Sequence, residues 1–587
     1  MTDNVPVHRV RGRRSNYDKF PSVPAGDAVD CVVGWDAAAR ALRSTGARVF
    51  VIDAYPGVRA EDLQAMTRAL APDLVIDTLV ALRPEPEIEQ MIAPFVTDDP
   101  VFGVMSRLEL REYFAATALE DLRRRVRDAF GTVVIHGVGA GLISEEGLVV
   151  YCDLPRWEIQ QRQRRGVIGN LGATNLTARP AEKYKRAYFV DWRVADRHKR
   201  SLWERVAFFL DTVASTECKL VRAQHVNLAL EATARRPFRV VPFFDPAPWG
   251  GHWMQTVCDV GHEQKNLGWC FDCVPEENSL LLAFGARRVE LPAIDLVFRE
   301  PRALLGEAVY GRFGAEFPIR FDFLDTMSGG NLSLQVHPPT EYIQRKFGMH
   351  YTQDESYYLL DADSDAGVYL GLRENVAADE MVRDLTLAQK GGPEFPAERY
   401  VNRFPARRHD HFLIPAGTVH GAGRNSMVLE ISSTPYIFTF KLWDWGRLGL
   451  DGRPRPIHLL HGCSSIAWHR DTAYAKRKLI NQVTPLASGP GWREERTGLH
   501  EAEFIETRRH WFHHPVLHRS TQSVQVLNLV QGEEAVVESP DGAFEPLTIH
   551  YAETFIVPAA AGDFTLRPQG PGASGECATI KAFVRGA

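Results

Sequence analysis

The chain has 587 residues, 45% hydrophobic and 24% charged, the profile of an ordinary globular protein and too long for one typical domain. Its net charge of −6 argues against a general nucleic-acid binder, and no run of about eighteen apolar residues offers a membrane span. Eight cysteines over this length are too few for a disulfide framework, so reduced thiols and a cytoplasmic location are expected.

The opening MTDNVPVHRVRGRRSNYDKF is polar and basic, without the apolar core of a secretory signal. ARVFVID at 47–53, GTVVIHG at 131–137 and LVVYCD at 148–153 are apolar runs bounded by Gly and charge, as buried parallel strands require. Between them, EDLQAMTRALAP and ELREYFAATALEDLRRRVRDAF carry apolar residues at helical spacing. This alternation predicts an α/β doubly wound domain over residues 1–235. GVGAG at 137–141 follows a strand but has no Lys and does not fit a dinucleotide fingerprint, so its glycines read as a tight turn. The run EKYKRAYFVDWRVADRHKR at 182–200 interleaves basic and aromatic residues. It reads as a solvated helix face with an aromatic anchoring side, in preference to a site for a phosphorylated ligand or nucleic acid.

Cys270 and Cys273 form a CxxC, with Cys258 twelve residues upstream; no second CxxC completes a zinc knot, so packed free thiols are expected. From about residue 280 the pattern becomes short β runs with frequent Gly and Pro turns, which fits β-rich cupin (jelly-roll) domains, one over 240–495 and a second over 500–587. In NLSLQVHPP, strand alternation places Ser333, Gln335 and His337 on one face and Leu332, Leu334 and Val336 on the other. ESYYLL puts Glu355, Tyr357 and Leu359 on a common face, and Pro415-x-Gly417-x-x-His420 forms a turn able to aim an imidazole inward. Gln335, His337, Glu355 and His420 thus form a four-ligand set of imidazole, carboxylate and amide oxygen, suited to one divalent ion, zinc above all. Taken singly, a His or Gln in a strand is ordinarily just a hydrogen-bonded polar group.

The order Gln-x-His, then Glu at the start of the next strand, then Pro-x-Gly-x-x-His, resembles the type I mannose-6-phosphate isomerases of the cupin superfamily. PWGG at 248–251 and MVLEISSTPYIFTFKLWDWGRLGLDGRPRPIH at 427–458 resemble further segments of that family, and the likeness runs over about residues 240–587. It implies zinc on the four ligands, Glu430 as a base and Lys441 at the position of a family Arg, with Arg447, Arg424, Tyr357 and Trp443 available to hold a sugar phosphate. Two departures stand out: Gln353 replaces a family Lys, and Lys441 lacks the planar fork of Arg. Each role has a plainer counterpart. Glu430 could be a buried carboxylate paired with Lys or Arg, the basic residues solvated charges, and the aromatics core.

The expected function is therefore a metal-dependent aldose–ketose isomerase interconverting mannose 6-phosphate and fructose 6-phosphate. The alternative is a metal-bound sugar-phosphate sensor that has lost turnover. VIDAYPGV and VYCDLPRWEIQQRQRRGV in the N-terminal half resemble a P-loop kinase of the uridine-kinase kind, but no G-x-x-x-x-G-K-[ST] is present. A degenerate kinase-like domain is the reading, with a bifunctional phosphotransferase as a further alternative. The residue pattern leaves the oligomeric state open.

Overall fold

The computed structural model describes residues 15–214, 217–433, 437–498, 500, 502–570 and 575–586; the first fourteen residues, most of the basic opening stretch, lie outside them. The chain divides into two compact units. The first comprises Ser22–Ala232 with Pro275–Arg299, and the second the residues up to Pro21, Thr233–Val274 and Glu300–Ala587. The first unit leaves the chain at Ala232 and takes up residues 275–299 again.

In the first unit, five parallel strands lie in the spatial order Val206–Asp211, Leu148–Asp153, Val49–Ala54, Val133–Gly137, Leu74–Asp77, and two antiparallel strands, Lys219–Arg222 and Cys31–Val33, extend the sheet beyond Val206–Asp211. Numbered along the chain, the parallel strands run fifth, fourth, first, third, second. The apolar runs read as strands form its centre. Phe50, Ile52, Val134, Val150, Phe208 and Leu210 pack with Ala38, Leu42, Leu63 and Met66 from helices Trp35–Arg43 and Ala60–Leu70. The hairpin Ser279–Phe284 and Arg287–Pro292 pairs with Ser22–Gly26 in this unit, so the β pattern near residue 280 does not yet belong to a barrel.

Two expectations need correction. The helix expected over 109–130 is broken: a single turn, Leu110–Tyr113, and the helix Ala116–Asp128 are separated by extended backbone at Phe114 and Ala115. Phe114 and Tyr113 are buried there, so packing of aromatics overrides helical continuity. The run 182–200 is helical, but its basic side chains are not a solvated face: Lys183, Lys185, Arg186 and Lys199 are all buried. A π-helical turn, Ala187–Asp191, joins helices Pro180–Arg186 and Trp192–Leu202 and shifts the helical phase, which a regular 3.6-residue reading misses. The buried cations have partners distant in sequence: the Lys199 ammonium lies 2.9 Å from Asp153 Oδ2 and 2.6 Å from Asp295 Oδ1.

The second unit holds four antiparallel sheets. One pair consists of a six-stranded sheet (His411–Ile414, Glu355–Ala362, Ser426–Ser433, Ile319–Asp325, Trp269–Cys273, Phe243–Asp245) and a five-stranded sheet (Val401–Pro405, Gly367–Leu372, His420–Ala422, Leu334–Val336, Phe440–Trp443). Tyr357, Leu359, Val368, Leu370, Phe412 and Val428 help to fill the core of this pair. The other pair joins Thr484–Gly489, Trp492–Gly498, Ile505–Phe512, Cys577–Val584, Gln525–Gln531 and Thr554–Val557 to a four-stranded sheet of Val516–His518, Phe564–Pro568, Glu534–Glu538 and Leu547–His550, around Leu527, Leu529, Phe555 and Phe564. Cys258, Cys270 and Cys273 are buried free thiols. No helix among the described residues is long and apolar enough to cross a membrane.

Candidate metal centre

Strand register builds the site. In the six-stranded sheet Tyr357 stands opposite Glu430, and Glu430 opposite Asp322, so these three form a row across neighbouring strands, with Glu355 two residues along on the Tyr357 face. In the five-stranded sheet Gln335 stands between His420 and Lys441. Pro338 and Pro339 end the ladder after Val336, leaving His337 at the strand mouth. The turn at 415–420 then ties the segments together. Gly417, at φ +91°, donates its N–H to the His337 carbonyl at 2.9 Å, and the chain reverses into His420.

Glu355 bridges the two imidazoles: its Oε2 lies 2.9 Å from His337 Nε2 and its Oε1 2.8 Å from His420 Nε2. All three side chains are buried, and one ligand atom from each falls within 4.8 Å of the other two. Each imidazole is fixed from behind. His337 Nδ1 meets the Phe438 carbonyl at 3.2 Å and His420 Nδ1 the Thr418 carbonyl at 2.8 Å. A carbonyl oxygen can only accept, so each Nδ1 carries a proton and each ring turns its Nε2 toward Glu355. His337 Nε2 and Glu355 Oε1 accordingly have no aligned hydrogen-bond partner. Two imidazole nitrogens and a carboxylate converging in one buried place are a donor set that fits a divalent ion. Gln335 presents its amide nitrogen to His420 Nε2 at 3.2 Å while its Oε1 accepts from Ser333 Oγ at 2.9 Å. Oxygen ligation by Gln335 requires the amide turned by half a rotation.

The electrostatics follow from burial. Burial alone would raise the Glu355 carboxyl, but the adjacent His337 and His420 outweigh it and hold the group well below its ordinary range. Burial, then the neighbouring Asp322 and Glu355 carboxylates, push Glu430 well above its range. Asp322 is pushed to about 7, chiefly by burial, against the pull of Arg320 at 3.1 Å. Burial, aided by Arg455 and Arg447 and opposed by Asp444, lowers the Lys441 ammonium to about 7.

Other expected site residues are placed unequally. Tyr357 is buried in the row, its ring edge-on to His420 at 5.9 Å between centroids. Arg447 is half-buried and paired with Asp444, whose second oxygen takes Arg455. Arg424 instead extends over the surface, paired with Asp365 at 2.9 Å. A bulge in Phe440–Trp443 sets Trp443, in place of Leu442, opposite Leu334, so that the indole lies by Phe395 and off the Lys441 face.

The sequence reading missed Arg320, Asp322 and Arg455. The first two interrupt the apolar strand IRFDFLD at i and i+2, a period-two polar face that signals an inward site. Gln353, noted only as a departure, donates to Glu355 Oε2 at 3.0 Å and to Glu430 Oε1 at 3.4 Å, joining the ligand to the candidate base.

Known proteins are similar to part of this chain. A mannose-6-phosphate isomerase of Bacillus subtilis is 25% identical over 225 residues, 38% of this chain and 65% of the relative. One of Streptococcus mutans is 25% identical over 213 residues, 36% of this chain and 61% of the relative. The chain carries a type I mannose-6-phosphate isomerase-like region. The matches span less than two thirds of those relatives' own lengths. Among solved structures, the Bacillus subtilis mannose 6-phosphate isomerase aligns over 59% of this chain and 99% of its own, at 20% identity and a TM-score of 0.48. Residues 34–235 match a family described as a domain of unknown function, DUF8485.

Proposed function

We propose that the second unit is a zinc-dependent isomerase interconverting mannose 6-phosphate and fructose 6-phosphate, with Gln335, His337, Glu355 and His420 as ligands. The observation that carries this reading is the convergence of His337, Glu355 and His420, each imidazole held at Nδ1 by a carbonyl so that its Nε2 faces inward. The relatives named for this reaction support the choice of substrate.

Aldose–ketose exchange needs a group that takes a proton from the carbon beside a carbonyl and returns it to the neighbouring carbon. Glu430 suits this proton transfer because it is buried, its proton affinity is raised, and Gln353 fixes its position beside Glu355. Bound zinc would polarise the two sugar oxygens between which the carbonyl moves. Lys441, opposite Gln335, stands on the ligand face with Arg447 and Arg455 nearby, a cluster suited to an anionic phosphate. Tyr357 closes the floor of the row. Isomerase activity with added zinc, measured beside His337→Ala, tests the assignment: loss of both zinc and turnover in the variant supports it.

A second reading, a sugar-phosphate sensor without turnover, draws on Gln353 and Lys441 where the isomerase family carries Lys and Arg. Sugar-phosphate binding without turnover in the wild type would favour it. A phosphotransferase in the first unit finds no support in the geometry. The Gly139 and Gly141 amides, the candidates for a phosphate cradle, donate instead to Asp53 at 3.1 and 2.7 Å. Glu61 and Asp62 occupy the first turn of the helix after Val49–Ala54, where a phosphate would meet like charge.

A further inference from the structure

A C-terminal barrel without a His after VPAAAG reads as structural, yet two histidines enter its interior from other strands. His510 lies on Ile505–Phe512 and His518 on Val516–His518; their rings are 4.2 Å apart, and His518 stacks on Phe564 at 4.7 Å. Register fixes the side they face. His510 stands opposite Thr579 and Glu494, Lys581 opposite Arg508 and Leu527, and Gln525 opposite Val557, while Leu527, Val557 and Phe564 belong to the barrel core. One end of the interior is therefore apolar and the other is polar, built around His510, His518, Gln525, Thr579 and Lys581.

The polar end is unsatisfied. Both nitrogens of His518, His510 Nδ1, Gln525 Oε1 and Thr579 Oγ1 lack a hydrogen-bond partner, although these four residues are 0 to 4% exposed. The Lys581 ammonium, itself 4% exposed, lies over the Phe583 ring at 5.7 Å. The remaining charges are engaged with one another: Arg508 holds Glu506 at 2.6 Å and Glu494 at 3.1 Å, and Glu494 also meets His510 Nε2 at 3.1 Å. Burial keeps His518 and His510 below their ordinary range, the latter at about 4, so both rings are neutral; His510 gives its Nε2 proton to Glu494 and leaves Nδ1 as an acceptor, while His518 presents a donor and an acceptor. Orphaned groups in such number are rare without an occupant. A metal ion fits poorly beside Lys581 and Arg508, and only His337, Glu355 and His420 form a ligating trio among the described residues. Unmet donors and acceptors in one place match oxygens that do both.

We propose that this polar end is a second ligand site, separate from the metal centre, for a small hydroxylated molecule of the sugar or hydroxy-acid class. Its hydroxyls meet His510, His518, Gln525 and Thr579, and an acidic oxygen, where present, meets Lys581.

The test uses full-length protein carrying His337→Ala, which separates this site from the metal centre, titrated calorimetrically with mannose, gluconate and fructose 6-phosphate. Binding of at least one probe is expected, weakened roughly tenfold or more by His518→Phe, which keeps the ring stack, and by Gln525→Leu should the first variant not fold. Lys581→Met weakening gluconate or the phosphate but not mannose identifies an anionic ligand; equal loss of all three identifies a neutral one. No binding by any probe, or binding unchanged in the variants, overturns the proposal.

Discussion

Replacing Lys441 by Met should stabilise the metal-free protein near pH 7 while removing the proposed isomerase activity. The ammonium is lowered from 10.5 to about 7 because the fold strips water from it and sets Arg455 and Arg447 beside it. The unfolded chain binds the proton more tightly than the native one between these two values, so this residue's contribution to stability rises with pH across that window and is at its worst at and below pH 7. The full gap corresponds to about 5 kcal/mol; Lys441 is only half-buried, and screening and relaxation reduce the usable effect to about 2 kcal/mol. Met keeps the stem's volume without the charge. Urea unfolding in chelator at pH 7 and pH 10, variant against wild type, reads the difference, which should be about 2 kcal/mol in favour of Met at pH 7 and close to zero at pH 10. A variant less stable than wild type at pH 7, or a difference that does not change with pH, would refute the claim that this ammonium is held without compensation for a ligand.

Glu430→Gln should lower kcat of the proposed isomerisation by about two to four orders of magnitude while leaving zinc content unchanged, because on that proposal it removes the proton carrier and not a ligand; kinetics and metal analysis on the same preparation check this. Lys199→Met should destabilise the first unit by roughly 3–5 kcal/mol at neutral pH, since Asp153 and Asp295 would be left buried without their cation; urea unfolding of the variant beside wild type measures it. Gly417→Ala should cost roughly 1–3 kcal/mol, because φ is +91° and the new Cβ would lie 3.2 Å from the Ser465 carbonyl and Ala467 Cβ. It should also weaken zinc binding by displacing the turn that delivers His420, which a chelator competition titration would detect.

Much of the metal centre was legible because its chemistry coincides with local pattern. Strand alternation put Gln335 and His337 on one face, and Pro415, Gly417 and His420 announced a turn whose positive φ the structure contains. Arg320 and Asp322 were visible only as polar breaks in an apolar strand, and their relevance rests on Glu430 lying opposite Asp322, a pairing between strands over a hundred residues apart. Trp443 was misplaced because one bulge reverses which side a side chain faces, and alternation carries no signal for a bulge. The basic run 182–200 failed for another reason: composition counts charges but not partners, and the partners of Lys199 lie at Asp153 and Asp295. The same blindness hid His510 and His518, which reach the barrel interior from strands without the Pro-x-Gly-x-x-His signature.

The central claim is that His337, Glu355 and His420 surround a divalent ion. Elemental analysis of purified full-length protein, wild type beside His337→Ala and His420→Ala, tests it most directly. One equivalent of zinc in the wild type, lost in both folded variants, is the expected result; a metal-free wild type that takes up none on titration, or variants that keep a full equivalent, would contradict it.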